Sequence, residues 1–134
     1  MGDLSKNFGS REFFDPKTWQ DVLDDKHLPY WHISPLLVER LEQIREWAGA
    51  PITITCGFRT QDQQDKLRAE DKTNTKFSFH QQGIAADIVV HGKDPIDVFN
   101  FCVKYFKDGA FGLYSSFCHV DVRPSRKPIT WRKV

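Results

Sequence analysis

A chain of 134 residues that is 40% hydrophobic and 28% charged, with formal net charge +1, can bury a core without covalent staples and fits one domain, residues 1–134. The near-neutral balance excludes the electrostatic footprint of a nucleic-acid binder and the polybasic surface of a membrane binder, and no run approaches transmembrane length. The N-terminus has no apolar signal core, so the chain reads as made in the cytoplasm with no signal peptide.

Residues 5–14 mix aromatics with charges and read as an ordered arm packed on the body. Asp15-Pro16 predicts a helix start that leads into Trp19, Val22 and Leu23. Residues 28–33 read as loop. Ser34-Pro35 then opens the clearest helix, with Ser as cap, Pro in the first turn and Gly49 at the end. Leu37, Leu41, Ile44 and Ala48 form its apolar stripe, while Arg40, Glu42, Arg45 and Glu46 fall on the wet side. Residues 51–56 alternate β-branched residues and predict a strand closed by Gly57. Residues 60–70 predict a polar helix anchored by Leu67, and residues 71–76 a polar loop.

Residues 84–90 are a near-continuous apolar run broken only by Asp87, as expected of a central strand carrying one charge. Asp94-Pro95 starts another helix, with Ile96, Phe99, Val103 and Phe106 spaced to face a core. Residues 110–114 and 117–122 predict two short strands joined in a hairpin through Ser115-Ser116. The stretch 123–133 is locally basic and reads as a solvated tail, in which Trp131 is a candidate glycan contact. With no repeat and no linker, the expected fold is α+β, a small antiparallel sheet with helices packed on one side.

Chemistry concentrates in the run Ser78-Phe79-His80 through Asp87 and in His119-Val120-Asp121. Alternation within residues 117–123 puts His119, Asp121 and Arg123 on one face and sends Cys118, Val120 and Val122 into the core. Asp87, between Ala86 and Ile88, is expensive to bury unless a cation accompanies it. His80 lies seven positions earlier, just before Gln81-Gln82-Gly83, a turn able to fold it back beside Asp87. Two imidazoles and one carboxylate suit Zn²⁺ and leave a fourth position open, the mark of a catalytic rather than a structural zinc site. The blander alternatives are a hydrogen-bonded structural His and an Asp87–Arg59 salt bridge. Cys56, Cys102 and Cys118 lie in apolar stretches without close spacing, and read as small buried hydrophobes in a reducing compartment. His27, His32 and His91 stand outside this constellation.

These motifs, together with Gly57-Phe58-Arg59 and Leu4-Ser5-Lys6-Asn7-Phe8, resemble the zinc D-Ala-D-Ala carboxypeptidases and their peptidoglycan endopeptidase relatives. That group shares its fold with lysostaphin-type enzymes and the hedgehog domain. The resemblance covers most of the chain. It implies His80, Asp87 and His119 as metal ligands, Arg59 as the residue that contacts substrate and polarises the scissile carbonyl, and Ser78 as a border of the substrate site. It further implies a monomer that hydrolyses peptidoglycan peptides, acting on the cell wall after release or as part of a virion. One departure stands out. Where many members carry an acidic residue three positions before the last ligand, or a His two before it, this chain has Ser116 and Phe117. Asp121 is the nearest acidic substitute, either as general base or as a group that orients His119 or Arg59. The alternative to an enzyme is a non-catalytic, zinc-stabilised binding module.

Overall fold

Five strands form one sheet in the order β1-β2-β4-β3-β5: β1 (Ile52–Cys56), β2 (Ala85–Val90), β3 (Ala110–Tyr114), β4 (Cys118–Asp121) and β5 (Ile129–Lys133). The computed structural model describes residues 4–23, 33–58, 61–69 and 79–134. The strands are accompanied by α1 (Pro16–Leu23), α2 (Pro35–Ala48), α3 (Gln61–Ala69) and α4 (Pro95–Tyr105), with short 3₁₀ turns at Ser10–Phe13 and Phe79–Gln82. The class is α+β, as expected. The loops expected at 28–33 and 71–76 fall outside the described residues, apart from Ile33.

The sheet is mixed rather than wholly antiparallel. β1–β2, β2–β4 and β3–β4 pair antiparallel, and β5 adds to the free edge of β3 in parallel, with Gly112 opposite Trp131. The basic stretch read as a solvated tail therefore ends in an ordered edge strand. Its side chains are exposed except for a half-buried Trp131, so it carries almost none of the apolar alternation by which a strand is recognised.

α2 and α4 lie on one face of the sheet. Ser34 Oγ accepts the Leu36 N–H, Pro35 occupies the first turn, and Gly49 ends α2 in the left-handed region. Leu37, Val38, Leu41 and Ile44 are buried against Ile88, Phe111 and Val120 from the strands. Each fully buried side chain of this size contributes about 1.5–3 kcal/mol. In α4 the buried stripe is Val98, Phe99 and Cys102, with Phe106 just beyond. Ile96 is exposed and Val103 half-buried, so the inward face is turned by about one residue from the expected one.

The expected wet side of α2 is largely occupied. Arg40 donates to the Asp108 carbonyl and carboxylate and to the main-chain carbonyl of Asp121. Glu42 accepts from Ser5 Oγ at 2.6 Å, from the Asn7 amide N–H at 2.8 Å and from Asn7 Nδ2 at 2.7 Å. That triple contact ties the N-terminal arm down, with Phe8 and Phe13 buried in the core.

Candidate metal centre

The opposite face of the sheet carries the titratable residues, and strand register puts them in line. Asp87 is the cross-strand partner of His119 on one side and of Cys56 on the other. His119 in turn faces Gly112, and Gly112 faces Trp131. Residues paired this way project from the same side of the pleat. The row Cys56–Asp87–His119–Gly112–Trp131 therefore runs straight across all five strands.

Cys56 belongs to that row only because β1 slips register between Ile54 and Cys56. Simple alternation from Ile52 and Ile54 would send its thiol into the core, which is where the sequence reading put it. The extra residue, Thr55, reverses the face, and its hydroxyl donates to the Asp87 carbonyl at 3.2 Å. Gly57 follows, where a Cβ would sit 2.6 Å from the Phe13 carbonyl oxygen. Only glycine lets the arm approach close enough for the Phe58 N–H to donate to that oxygen.

His80 comes from the 3₁₀ turn Phe79–Gln82 and is folded back over β2, as the Gln-Gln-Gly turn suggested. Its Nδ1 lies 2.7 Å from the Gly57 carbonyl. A carbonyl only accepts, so Nδ1 carries the proton and Nε2 carries the ring's lone pair. That Nε2 is 3.5 Å from Asp87 Oδ1. His119 is set the other way round. Its Nε2 is 2.9 Å from Asp121 Oδ2 and its Nδ1 is 2.9 Å from the same Asp87 Oδ1. The two rings meet edge-on, centroids 5.2 Å apart.

Both imidazoles thus aim a nitrogen at one carboxylate oxygen. Held at such distances, an unprotonated nitrogen and a carboxylate oxygen repel unless a positive charge lies between them. A proton or a metal ion meets that need. Ligand atoms at about 2.0–2.1 Å from a tetrahedral zinc lie about 3.3 Å from one another, and the two nitrogen-to-oxygen spacings, 3.5 and 2.9 Å, are near that value. Among the described residues, the group whose ligand atoms all lie within 4.8 Å of one another is Cys56, His80 and Asp87.

The electrostatics agree. Burial alone would lower the His80 pKa, but hydrogen bonding to Asp87 and Cys56 outweighs it and lifts the value to about 10. Burial would raise the Asp87 pKa, yet the hydrogen bonds from His119 and His80 hold it far below the usual carboxylate range.

Asp121 is fully buried. Besides His119 it accepts from the Ala110 and Arg123 amides and from Arg123 Nε and Nη2, the last at 2.6 Å. Burial pushes its pKa up, the His119 and Arg123 hydrogen bonds pull it down, and the net direction is down. Its cross-strand neighbours are the small residues Ala85 and Ala110.

The structure brings His80, Asp87, His119 and Asp121 together, whereas Arg59 and Ser78 fall outside the described residues. Cys56, unassigned in the sequence reading, can offer its Sγ within 4.8 Å of ligand atoms of His80 and Asp87. That Sγ lies 3.7 Å from His80 Nδ1, the nitrogen already committed to Gly57. Cys118 is buried, as alternation required. A cavity of about 470 Å³ opens on the β1 side, lined by Phe13, Phe14, Cys56, Phe58, Lys66 and Leu67 among others.

Residues 13–121 match the family described as Peptidase M15. The chain belongs to the peptidase M15 family. It is similar to the peptidoglycan L,D-endopeptidase MepK of Escherichia coli K12, with 29% identity over 98 residues, 70% of this chain and 53% of that protein. MepK of Shigella flexneri matches with the same figures. The chain thus spans about half the length of the curated relatives it matches. Among solved structures, the L-Ala D-Glu endopeptidase ChiX of Serratia marcescens aligns with a TM-score of 0.47 at 16% identity, covering 73% of this chain and 84% of that one.

Proposed function

We propose that this M15 chain is a zinc peptidase that hydrolyses peptide bonds in bacterial peptidoglycan, within stem peptides or cross-links. The observation that carries the reading is the convergence of His80 Nε2 and His119 Nδ1 on Asp87 Oδ1. MepK, named for cleaving peptidoglycan, adds the substrate class.

His80, Asp87 and His119 would hold the ion, and their N/O donor set suits zinc with a position left open. Cys56 is the less favoured third ligand, because its sulfur approaches the protonated end of His80. A divalent ion here supplies Lewis acidity to an amide carbonyl and brings the pKa of a water toward ~7. The remaining work belongs to the chain. Gly57 seats the His80 proton, and Asp121 seats the His119 proton, which fixes the tautomer of each ring and aims its lone pair at the site. Arg59 is proposed to polarise the scissile carbonyl, and Ser78 to border the substrate. Asp121, expected as base or as orienting group, fits the second role. It is fully buried and held on the His119 nitrogen that faces away from Asp87.

That placement also favours a second reading, a zinc-stabilised binding module without turnover. Isolated peptidoglycan is incubated with the purified, zinc-loaded chain and the muropeptides are read by mass spectrometry. A new free amine at one stem-peptide bond, absent with His119→Ala, supports the peptidase and identifies the bond. Unchanged muropeptides with stoichiometric zinc would leave the binding module.

A further inference from the structure

The family match ends at Asp121, and β5 lies beyond it. This strand buries little. Ile129, Thr130, Arg132 and Lys133 are exposed, and Trp131 alone is half-buried. Its indole points to the face that carries the metal ligands. It lies flat over Gly112, where any Cβ would collide with indole atoms Cε2 and Nε1. By crossing that side-chain-free position it reaches the His119 ring, with centroids 5.0 Å apart.

The indole is fixed from several sides. Its Nε1–H donates to Tyr114 Oη at 3.0 Å, and the Tyr114 ring is stacked on Phe117 at 4.3 Å. The Arg123 guanidinium sits 5.6 Å from the indole and 4.0 Å from Phe79. Tyr114 and Phe117 are two positions along from Gly112 and His119, hence on the same side of the pleat. Trp131, Tyr114 and Phe117 form a half-exposed aromatic wall beside one metal ligand, on the flank opposite the cavity next to Cys56.

We infer that Trp131 is a specificity-determining residue, the rigid edge of the cleft that limits the size of the substrate side chain lying beside His119. This deepens the peptidase reading and rests on it. A packed apolar wall discriminates by volume, and opening it changes preference rather than chemistry.

The first test needs no hydrolysis. Titrating the metal-free chain with Co²⁺ quenches tryptophan fluorescence at one equivalent, and Trp131→Phe loses most of that quenching while still binding one equivalent. Quenching of equal depth in Trp131→Phe overturns the placement.

The second test uses synthetic peptides based on the muropeptide the chain cleaves, with Ala, Val or Phe at each residue flanking the scissile bond. At one of the two positions, Trp131→Ala shifts the kcat/KM ratio of the Phe to the Ala peptide upward by about tenfold or more, with metal stoichiometry retained. Gly112→Ala, which displaces the indole, shifts it the same way, and Trp47→Ala on the helix face leaves it unchanged. Cleavage with unaltered ratios in both Trp131→Ala and Gly112→Ala overturns the inference alone. Failure of the unsubstituted chain to cleave any peptide overturns the peptidase reading and the specificity role with it.

Discussion

Two aspartates lie within hydrogen-bonding distance of the same histidine, and their partners separate the jobs proposed for them. Asp87 receives the rings on a single oxygen and keeps part of its surface toward the cleft. Asp121 spends both oxygens on Ala110, Arg123 and His119, and is fully buried. Asp121→Asn is expected to weaken zinc affinity by about 10–100-fold, the usual cost of losing a carboxylate behind a ligating histidine. Competition with a chromophoric chelator measures this. Undiminished affinity with lost turnover would instead make Asp121 the base. Two of the three cysteines are buried. Burial raises the Cys118 thiol to about 12 and the Cys102 thiol well above its usual value, so both are poor nucleophiles in the native fold.

At the scale of elements, the β1 end and the N-terminal arm are one construction. Thr55 is the inserted residue, Gly57 the point of contact with Phe13, and the Gly57 carbonyl the seat of the His80 proton. Gly57→Ala forces a methyl against the Phe13 backbone, an overpacking expected to cost about 1–3 kcal/mol and to lower zinc affinity as His80 loses its partner. Urea melts and metal titration of the same variant separate the two effects.

The arm has its own pH dependence. Burial raises the Glu42 pKa, but the hydrogen bonds from Ser5 and Asn7 together outweigh it, so the folded value lies below the ordinary 4.5. A depressed carboxylate stabilises the fold fully above its unfolded pKa and loses that contribution as pH falls through the folded one. The drop in urea midpoint between pH 6 and pH 3 is therefore expected to be smaller in Glu42→Gln than in the unsubstituted chain. Equal drops would mean that the arm is held without the carboxylate.

Over the whole molecule, a cation that binds only the folded chain adds stability by mass action. Zinc at about 100 times its dissociation constant is expected to add about 2.7 kcal/mol. A melting-temperature rise that EDTA reverses and His119→Ala lacks checks this. The gathering of His80, Asp87, His119 and Asp121, α2, the β2 strand and the β3–β4 hairpin were legible in the chain because each is written locally. Ser34, Pro35 and Gly49 bracket α2, and alternation puts His119 and Asp121 together. The place of Cys56 in the cross-strand row was hidden because one inserted residue inverts alternation, and no local pattern marks that insertion. β5 was hidden because only one of its side chains is even half-buried. The α4 face was misplaced by about one residue because Ile96 and Val103 are as apolar as Val98 and Cys102, so composition alone did not choose between them.

The line of residues across the sheet has a practical corollary. Spacing among Cys56, Asp87, His119, Gly112 and Trp131 is dictated by backbone hydrogen bonding between neighbouring strands, and owes nothing to the connections that join them. A designer wishing to transplant the centre would copy five short extended segments plus the turn bearing His80, and could replace every intervening loop. Metal affinity surviving such loop exchange would be the natural yardstick of success.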